Sequence, residues 1–279
     1  GQVPLVTAIN NWGWRVTIIA LSIIGCFLAL LVWSIVRDSP ETVTQGHKFQ
    51  SPPKKSELKR LQQVCRNRQT WLIALYSFAI WAPITAFAAL WGIPFLVASY
   101  GLTTEAASIA SAMIWLGIGL GSPLMGWYSD KIGSRSKPLS LSALLGIISL
   151  TIIIYAPPLS LPWLYFTLFT FGLAASGQSL AFGVVKDNNT SCVVGTAIGF
   201  NNMAVVAGGA LFQPLIGILL YVNWSGVTHN GTPFYGIVDY QKAFFVLPLC
   251  YVLALLVSQF LLRETYCKSQ YSNESASAI

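Results

Sequence analysis

The sequence predicts an all-α protein that threads a membrane several times, and three observations carry that expectation. Of its 279 residues, 54% are hydrophobic and only 9% are charged, against about 25% charged in a soluble domain. The charges are also gathered: eleven fall between Arg37 and Arg68, while residues 17–36, 69–104, 106–129 and 138–185 hold none. A helix rises about 1.5 Å per residue and a hydrocarbon layer is about 30 Å thick, so roughly 20 apolar residues suffice to cross it. Finally, the lysines and arginines alternate from loop to loop.

Apolar runs between charge or turn clusters give seven helices, over residues 15–36, 71–99, 106–128, 138–155, 161–185, 195–221 and 242–262. The loops between them hold, in order, eight, none, three, none, one, none and two Lys and Arg residues, or 14 of the 16 in the chain. The other two, Arg15 and Lys242, sit at helix ends where long side chains snorkel to the interface. By the positive-inside rule the basic loops are cytoplasmic, so the segment begins outside and ends inside. The expected location is a bacterial inner (plasma) membrane.

The odd number of spans divides at the longest and most polar loop. Residues 1–36 read as the end of one helix and a complete second one. Residues 37–70 read as a cytoplasmic linker, with Pro52, Pro53, Lys54 and Lys55 followed by a short helix capped by Ser56 and carrying Leu58, Leu61 and Cys65 on one face. Residues 71–266 form a six-helix unit and 267–279 a cytoplasmic tail. The opening "GQVPLVTAINNWGW" loosely echoes "ALFQPLIGILLYVNW" at 210–224, as an internal repeat does. Together with Gly1 in place of methionine, this predicts an absent first half of similar layout.

The strongest local signal is "GWYSDKIGSRSK", Gly126 to Lys137, read as a loop between the third and fourth spans. Gly126 permits close helix approach, Asp130 accepts hydrogen bonds from a helix N-terminus, and Gly133 allows a tight turn between the cations Lys131 and Arg135. "WSIVRDSPE" at 33–41, "DYQKAF" and "LLRETY" around the seventh span, and the glycines of Gly195 to Gly217 accompany it. In that order these segments resemble the major facilitator superfamily, from the end of helix 5 through helix 6 and the central loop to helices 7–12. The resemblance implies a transporter built of two six-helix halves, with no cofactor. "RDSP" and the glycine pattern of helix 11 look most like the organophosphate and organic-anion permeases.

Members of that branch carry an arginine midway along helix 7, whereas "WLIALYSFAIWAPITAFAALWGIPF" has no cation. A phosphate ester is therefore not expected as substrate. No Asp, Glu, Lys, Arg or His lies in the interior of any predicted span, so a proton-coupling carboxylate is expected in the other half. Ser77, Trp81 and Thr85 recur at helical spacing on one face of helix 7. Trp115, Gln178, Asn201 and Asn202 are the other mid-span polar or aromatic groups. By resemblance, helices 7, 8, 10 and 11 line the central cavity. The amides either face that watery space or serve as interhelical glue, and both readings satisfy their hydrogen-bonding groups. Trp91, nearer an end, reads as structural.

Prolines 83, 94, 123, 214 and 248 interrupt five spans and favour kinks. Of the five Asn-X-Ser/Thr sequons, only those at Asn223 and Asn230 would face outward. The five cysteines lie in spans, cytoplasmic loops or the tail, which disfavours a disulfide framework. A net charge of +7 spread over interspan loops disfavours nucleic acid as a partner. The expected partners are the lipid bilayer, a small solute and an N-terminal six-helix half. A seven-helix receptor fits the span count and termini alone. No cluster with metal-ligand or nucleophile spacing points to an enzyme.

Overall fold

The computed structural model describes residues 2–36, 57–229 and 232–270, so the Pro52–Lys55 linker, the Ser56 cap, and Asn230 lie outside the described residues. The chain divides into two compact units, Gly1–Lys55 and Ser56–Ile279. In the first, helix α1 (Gln2–Ile35) is broken at Gly13, whose φ of 79° leaves the helical region. The sequence places the start of the first full span just beyond this break. Thr17 Oγ1 donates to the Gly13 carbonyl at 2.9 Å, tying the first turn of the longer arm to the break.

The second unit begins with the short helix α2 (Glu57–Arg66) and continues through six membrane-length spans. The first joins α3 (Arg68–Pro83), a π-helical stretch (Ile84–Trp91) and α4 (Gly92–Tyr100). The second and third are α5 (Thr104–Ile132) and α6 (Ser136–Tyr155). The fourth is split into α7 (Leu161–Ala175) and α8 (Gly177–Asp187), and the fifth is α9 (Val194–Asn223). After a two-residue antiparallel pair, β1 (Thr228–His229) with β2 (Thr232–Pro233), the sixth comprises α10 (Ile237–Phe244), α11 (Val246–Leu256) and a π-helical end (Val257–Leu261). The all-helical bundle agrees with the sequence, and every predicted span is present. The small β pair replaces what reads as plain loop.

Caps set several boundaries beyond the apolar runs. Asn67 accepts from the Gln69 amide at 3.0 Å to start α3, and Thr103 accepts from the Ala106 amide at 3.2 Å to start α5. Each satisfies an amide with no partner inside the helix. Two of the five prolines coincide with irregular backbone. Pro83 lacks the N–H that would reach the Ala79 carbonyl, and the π-helical stretch begins one residue later. Pro248 cannot donate to Phe244, and the sixth span breaks at Phe245. Pro94, Pro123 and Pro214 sit inside segments of unbroken α-helical hydrogen bonding.

The spans pack α5 on α7, α3 on α9, and α6 on both α7 and α11. The α5–α7 crossing is close enough that a Cβ at Gly172 would overlap the Ile114 carbonyl, and one at Gly117 the Phe169 carbonyl. Farther from the basic loops, Phe87 lies 5.8, 5.9 and 5.7 Å from the rings of Phe95, Phe171 and Phe244, all with steep interplanar angles. Edge-to-face packing of this kind adds to the burial of large apolar surfaces. Rings thus join the first, fourth and sixth spans at that end, and a polar network gathers residues at the other.

Candidate functional site

The turn between α5 and α6 is only Gly133, Ser134 and Arg135, because α5 runs on to Ile132. Gly126, Asp130 and Lys131 are therefore helical, not loop as the sequence suggests, since the helix's last turn carries polar residues that no hydropathy boundary includes. Gly133 has φ 61°, a conformation that side chains disfavour, so its glycine sets the reversal as expected. Gly126 does not support close helix approach in this unit: a Cβ there would meet nothing within 4 Å. Lys131 Nζ sits 4.8 Å from the centre of the Trp127 ring one turn away.

Arg135 is the hub. Its Nε donates to Asp187 Oδ2 at 3.1 Å, and its Nη1 to Asp130 Oδ1 at 2.9 Å and Ser129 Oγ at 3.0 Å. Asp130 is two-thirds exposed, with 67% side-chain accessibility, whereas the Arg135 and Asp187 side chains retain 14% and 10%. The more buried pair is thus one that the sequence motif does not contain. Thr265 Oγ1 donates to the same Asp187 oxygen at 3.1 Å, and the Gln270 amide to the Asp187 carbonyl at 2.9 Å. Burial works against the Arg135 charge, but the hydrogen bond and the charge of Asp187, with Cys267 and Asp130 adding smaller fields, raise its pKa.

Asp130 does not receive a helix N-terminus as the motif suggests; Glu264 does. Its Oε1 accepts from the Arg135 amide at 2.8 Å and its Oε2 from the Ser136 amide at 3.0 Å, with Ser134 Oγ also donating to Oε2. The Thr265 and Tyr266 amides, each 3.0 Å away, complete the set. Burial raises the carboxyl pKa, yet the donations from Arg135, Ser134, Ser136 and Tyr266 outweigh it and hold the group at about 2. Glu264, just beyond the last span, therefore clamps the α5–α6 turn. "LLRETY" carried that signal in its one carboxylate, but the pairing spans 129 residues and has no local periodicity.

A second polar seam docks α2 and the start of α3. Asn67 Nδ2 donates to the Asn188 carbonyl at 2.7 Å, Thr70 and Asn189 exchange contacts at 3.2 Å, and Asn189 Nδ2 also donates to the Val185 carbonyl at 2.9 Å. Val64 is the buried residue of α2, while Leu58, Leu61 and Cys65 form an exposed stripe.

Farther along the bundle, Ser77, Gln178 and Asn201 are buried, and their side-chain polar atoms find no hydrogen-bond partner among the described residues. Neighbouring contacts put them at similar depth. Trp71 packs on Phe200, with ring centres 4.8 Å apart, and a Cβ at Gly208 would lie 3.1 Å from that of Ala82, so Ser77 and Asn201 sit in one bracketed layer. Gly177 lies against the Tyr76 hydroxyl, bringing Gln178 to that layer from α8. Ser111 on α5, which composition did not single out, is likewise buried and unpartnered. Trp81 is half-buried. Asn202, a helical step of about 100° beyond Asn201, is exposed, as is Trp115, so neither joins the buried group.

Thr85 is engaged locally: its Oγ1 donates to the Ala82 carbonyl at 2.9 Å. Its own carbonyl accepts from Gln213 Nε2 at 2.9 Å, and Trp91 Nε1 donates to the Gln213 carbonyl at 3.1 Å. These two bonds fasten the π-helical stretch to α9. Trp91 thus has the structural part that its position suggests, and Gln213 is its unanticipated partner.

A family model described as Major Facilitator Superfamily matches residues 3–213 and, in a second match, 84–277. The comparison with curated proteins returned no match.

Proposed function

The chain belongs to the major facilitator superfamily of membrane transporters, and from that premise we propose that it moves a small polar organic solute by alternating access. In this reading residues 71–266 are the C-terminal half and α1 carries helix 6. A second six-helix half is the partner against which the bundle rocks. The basic loops, by the positive-inside rule, lie in the cytoplasm.

The observation that carries the substrate class is the unpaired state of Ser77, Gln178 and Asn201. An unsatisfied buried polar group costs about 1–3 kcal/mol, a cost a transporter can retain when another state of the cycle supplies the partner. Those groups are uncharged, and the Asp, Glu, Lys and Arg residues of the six spans stand within about two turns of an end. An uncharged hydroxyl- or amide-bearing solute suits them. Trp81, Thr85, Trp115 and Asn202 complete the cavity lining once the second half covers the exposed faces of α5 and α9. Within the family, "RDSP" and the helix-11 glycines favour the organophosphate and organic-anion branch. The lack of a cation in Arg68–Tyr100 beyond Arg68 itself argues against a phosphate ester. Coupling to protons or another ion then falls to the second half.

Gly126, Asp130, Lys131, Gly133 and Arg135 form the cytoplasmic gate in this reading, with exposed Asp130 as the member free to exchange partners. Uptake assays on the full-length protein with sugars, amino acids, organic acids and phosphate esters test the substrate class. Saturable uptake of an uncharged solute, reduced at least tenfold by Asn201→Leu, is expected; uptake confined to phosphate esters overturns the reading. Normal uptake in Asp130→Ala removes the gate assignment.

A further inference from the structure

Between α6 and the π-helical end of the sixth span runs a groove of about 530 Å³ at the basic end of the bundle. Its two ends differ in chemistry. Lys137 and Gln259 stand at the mouth, both exposed. Ser140 and Ser258 close its floor with a hydroxyl–hydroxyl hydrogen bond of 2.9 Å, and Ser258 passes its own proton to the Leu255 carbonyl at 3.0 Å. About 6 to 10 Å beyond Lys137 along α6, at 1.5 Å per residue, the lining turns apolar with Leu141 and Leu144, faced by Leu255 from the sixth span. Beyond these the exposed stripe of α6 continues apolar through Ile148 and Ile152.

Among the described residues no ion pair includes Lys137. Glu264, which accepts from the neighbouring Ser136 amide, spends both oxygens on Arg135, Ser134, Ser136, Thr265 and Tyr266. That same carboxylate occupies the α6 N-terminal amides, so the attraction of an anion to this groove rests on the Lys137 ammonium. A cation at the aqueous edge of a span, above an apolar trough that opens along the membrane-facing helices, has the polarity profile of a phospholipid turned inside out.

We propose that this groove seats one anionic phospholipid, its phosphate against Lys137 and Gln259 and one acyl chain lying between Leu141, Leu144 and Leu255. The lipid bridges α6 to the end of the sixth span just before the Glu264 clamp. The inference is independent of the transported solute.

Native mass spectrometry of the delipidated full chain in detergent tests it, titrating phosphatidylglycerol and phosphatidylcholine with identical acyl chains. The first phosphatidylglycerol should bind at least threefold tighter than phosphatidylcholine. Lys137→Gln should erase that preference, and Lys242→Gln, at the opposite end, should preserve it. Leu144→Trp, which fills the trough without touching charge, should weaken both lipids. Equal binding of the two lipids, or a preference that survives Lys137→Gln, overturns the proposal. So does displacement of the lipid by millimolar inorganic phosphate, which would make the site a free-anion site. Loss of dimer signal on Leu144→Trp, with lipid adducts unchanged, would assign the groove to a second copy of the chain instead.

Discussion

Arg135 and Asp187, 52 residues apart, meet at 3.1 Å between Nε and Oδ2 with both side chains nearly buried. The pair joins the α5–α6 turn to the end of α8, and Thr265 adds the chain beyond the last span to the same oxygen. Asp130, the carboxylate of the sequence motif, is the outer and more exposed partner of the same guanidinium.

This difference in burial predicts opposite behaviour for the two acids. Asp187→Asn leaves a mostly buried guanidinium facing a neutral group, a change of the class that costs about 3–5 kcal/mol. Asp130→Asn removes an exposed pair of the class worth about 0–1 kcal/mol. Melting in detergent should therefore fall by many degrees for the first and scarcely for the second. Equal shifts would refute the ranking.

Glu264 predicts a pH dependence. Its folded pKa of about 2 lies below the ordinary 4.5, so the folded state binds the proton less readily than the unfolded chain. The stabilisation is complete above 4.5 and is lost as pH falls toward 2. The melting-temperature gap between wild type and Glu264→Gln should be constant from neutral pH down to about 5 and close below it. A gap that widens on acidification contradicts this.

The α5–α7 crossing predicts a contrast between glycines. Gly172→Ala puts a methyl group into the Ile114 carbonyl, and the helices must separate, at a cost of about 1–3 kcal/mol or more. Gly126→Ala meets open space and should leave the melting temperature unchanged or slightly raised, since alanine favours helix. Both are read from unfolding of the purified protein.

Gln213→Leu removes the donor from the Thr85 carbonyl in the π-helical stretch. A loss of about 1–2 kcal/mol is expected, together with faster hydrogen exchange over Ile84–Trp91 than elsewhere in the first span. Uniform exchange along that span would show the bond to be dispensable.

The buried amide predicts an inversion. Asn201 has no partner among the described residues, so Asn201→Leu should hold or raise stability while reducing uptake. Loss of both together would mark the residue as interhelical glue.

Span positions, basic-loop alternation and the family were legible in the sequence because each is a local or additive property. Hydropathy sums over about 20 residues, charge is counted loop by loop, and Gly133 announces a reversal through its own backbone. Three features of the site were not legible. The end of α5 was hidden because polar residues continue a helix past its apolar run. Glu264 and Asp187 were hidden because their partners are remote in sequence. Ser77, Gln178 and Asn201 were visible as polar groups, but Asn202 and Trp115 looked equivalent until helix rotation separated buried from exposed.

By itself, then, the sequence determined that this is a multi-pass helical membrane protein and where its chain crosses, since the cost of burying charge in hydrocarbon acts on each segment separately. Only the tertiary structure decided which carboxylate grips Arg135, which one caps α6 and which amides are left unpaired, because hydrogen bonds depend on distances of about 3 Å between residues brought together by packing alone.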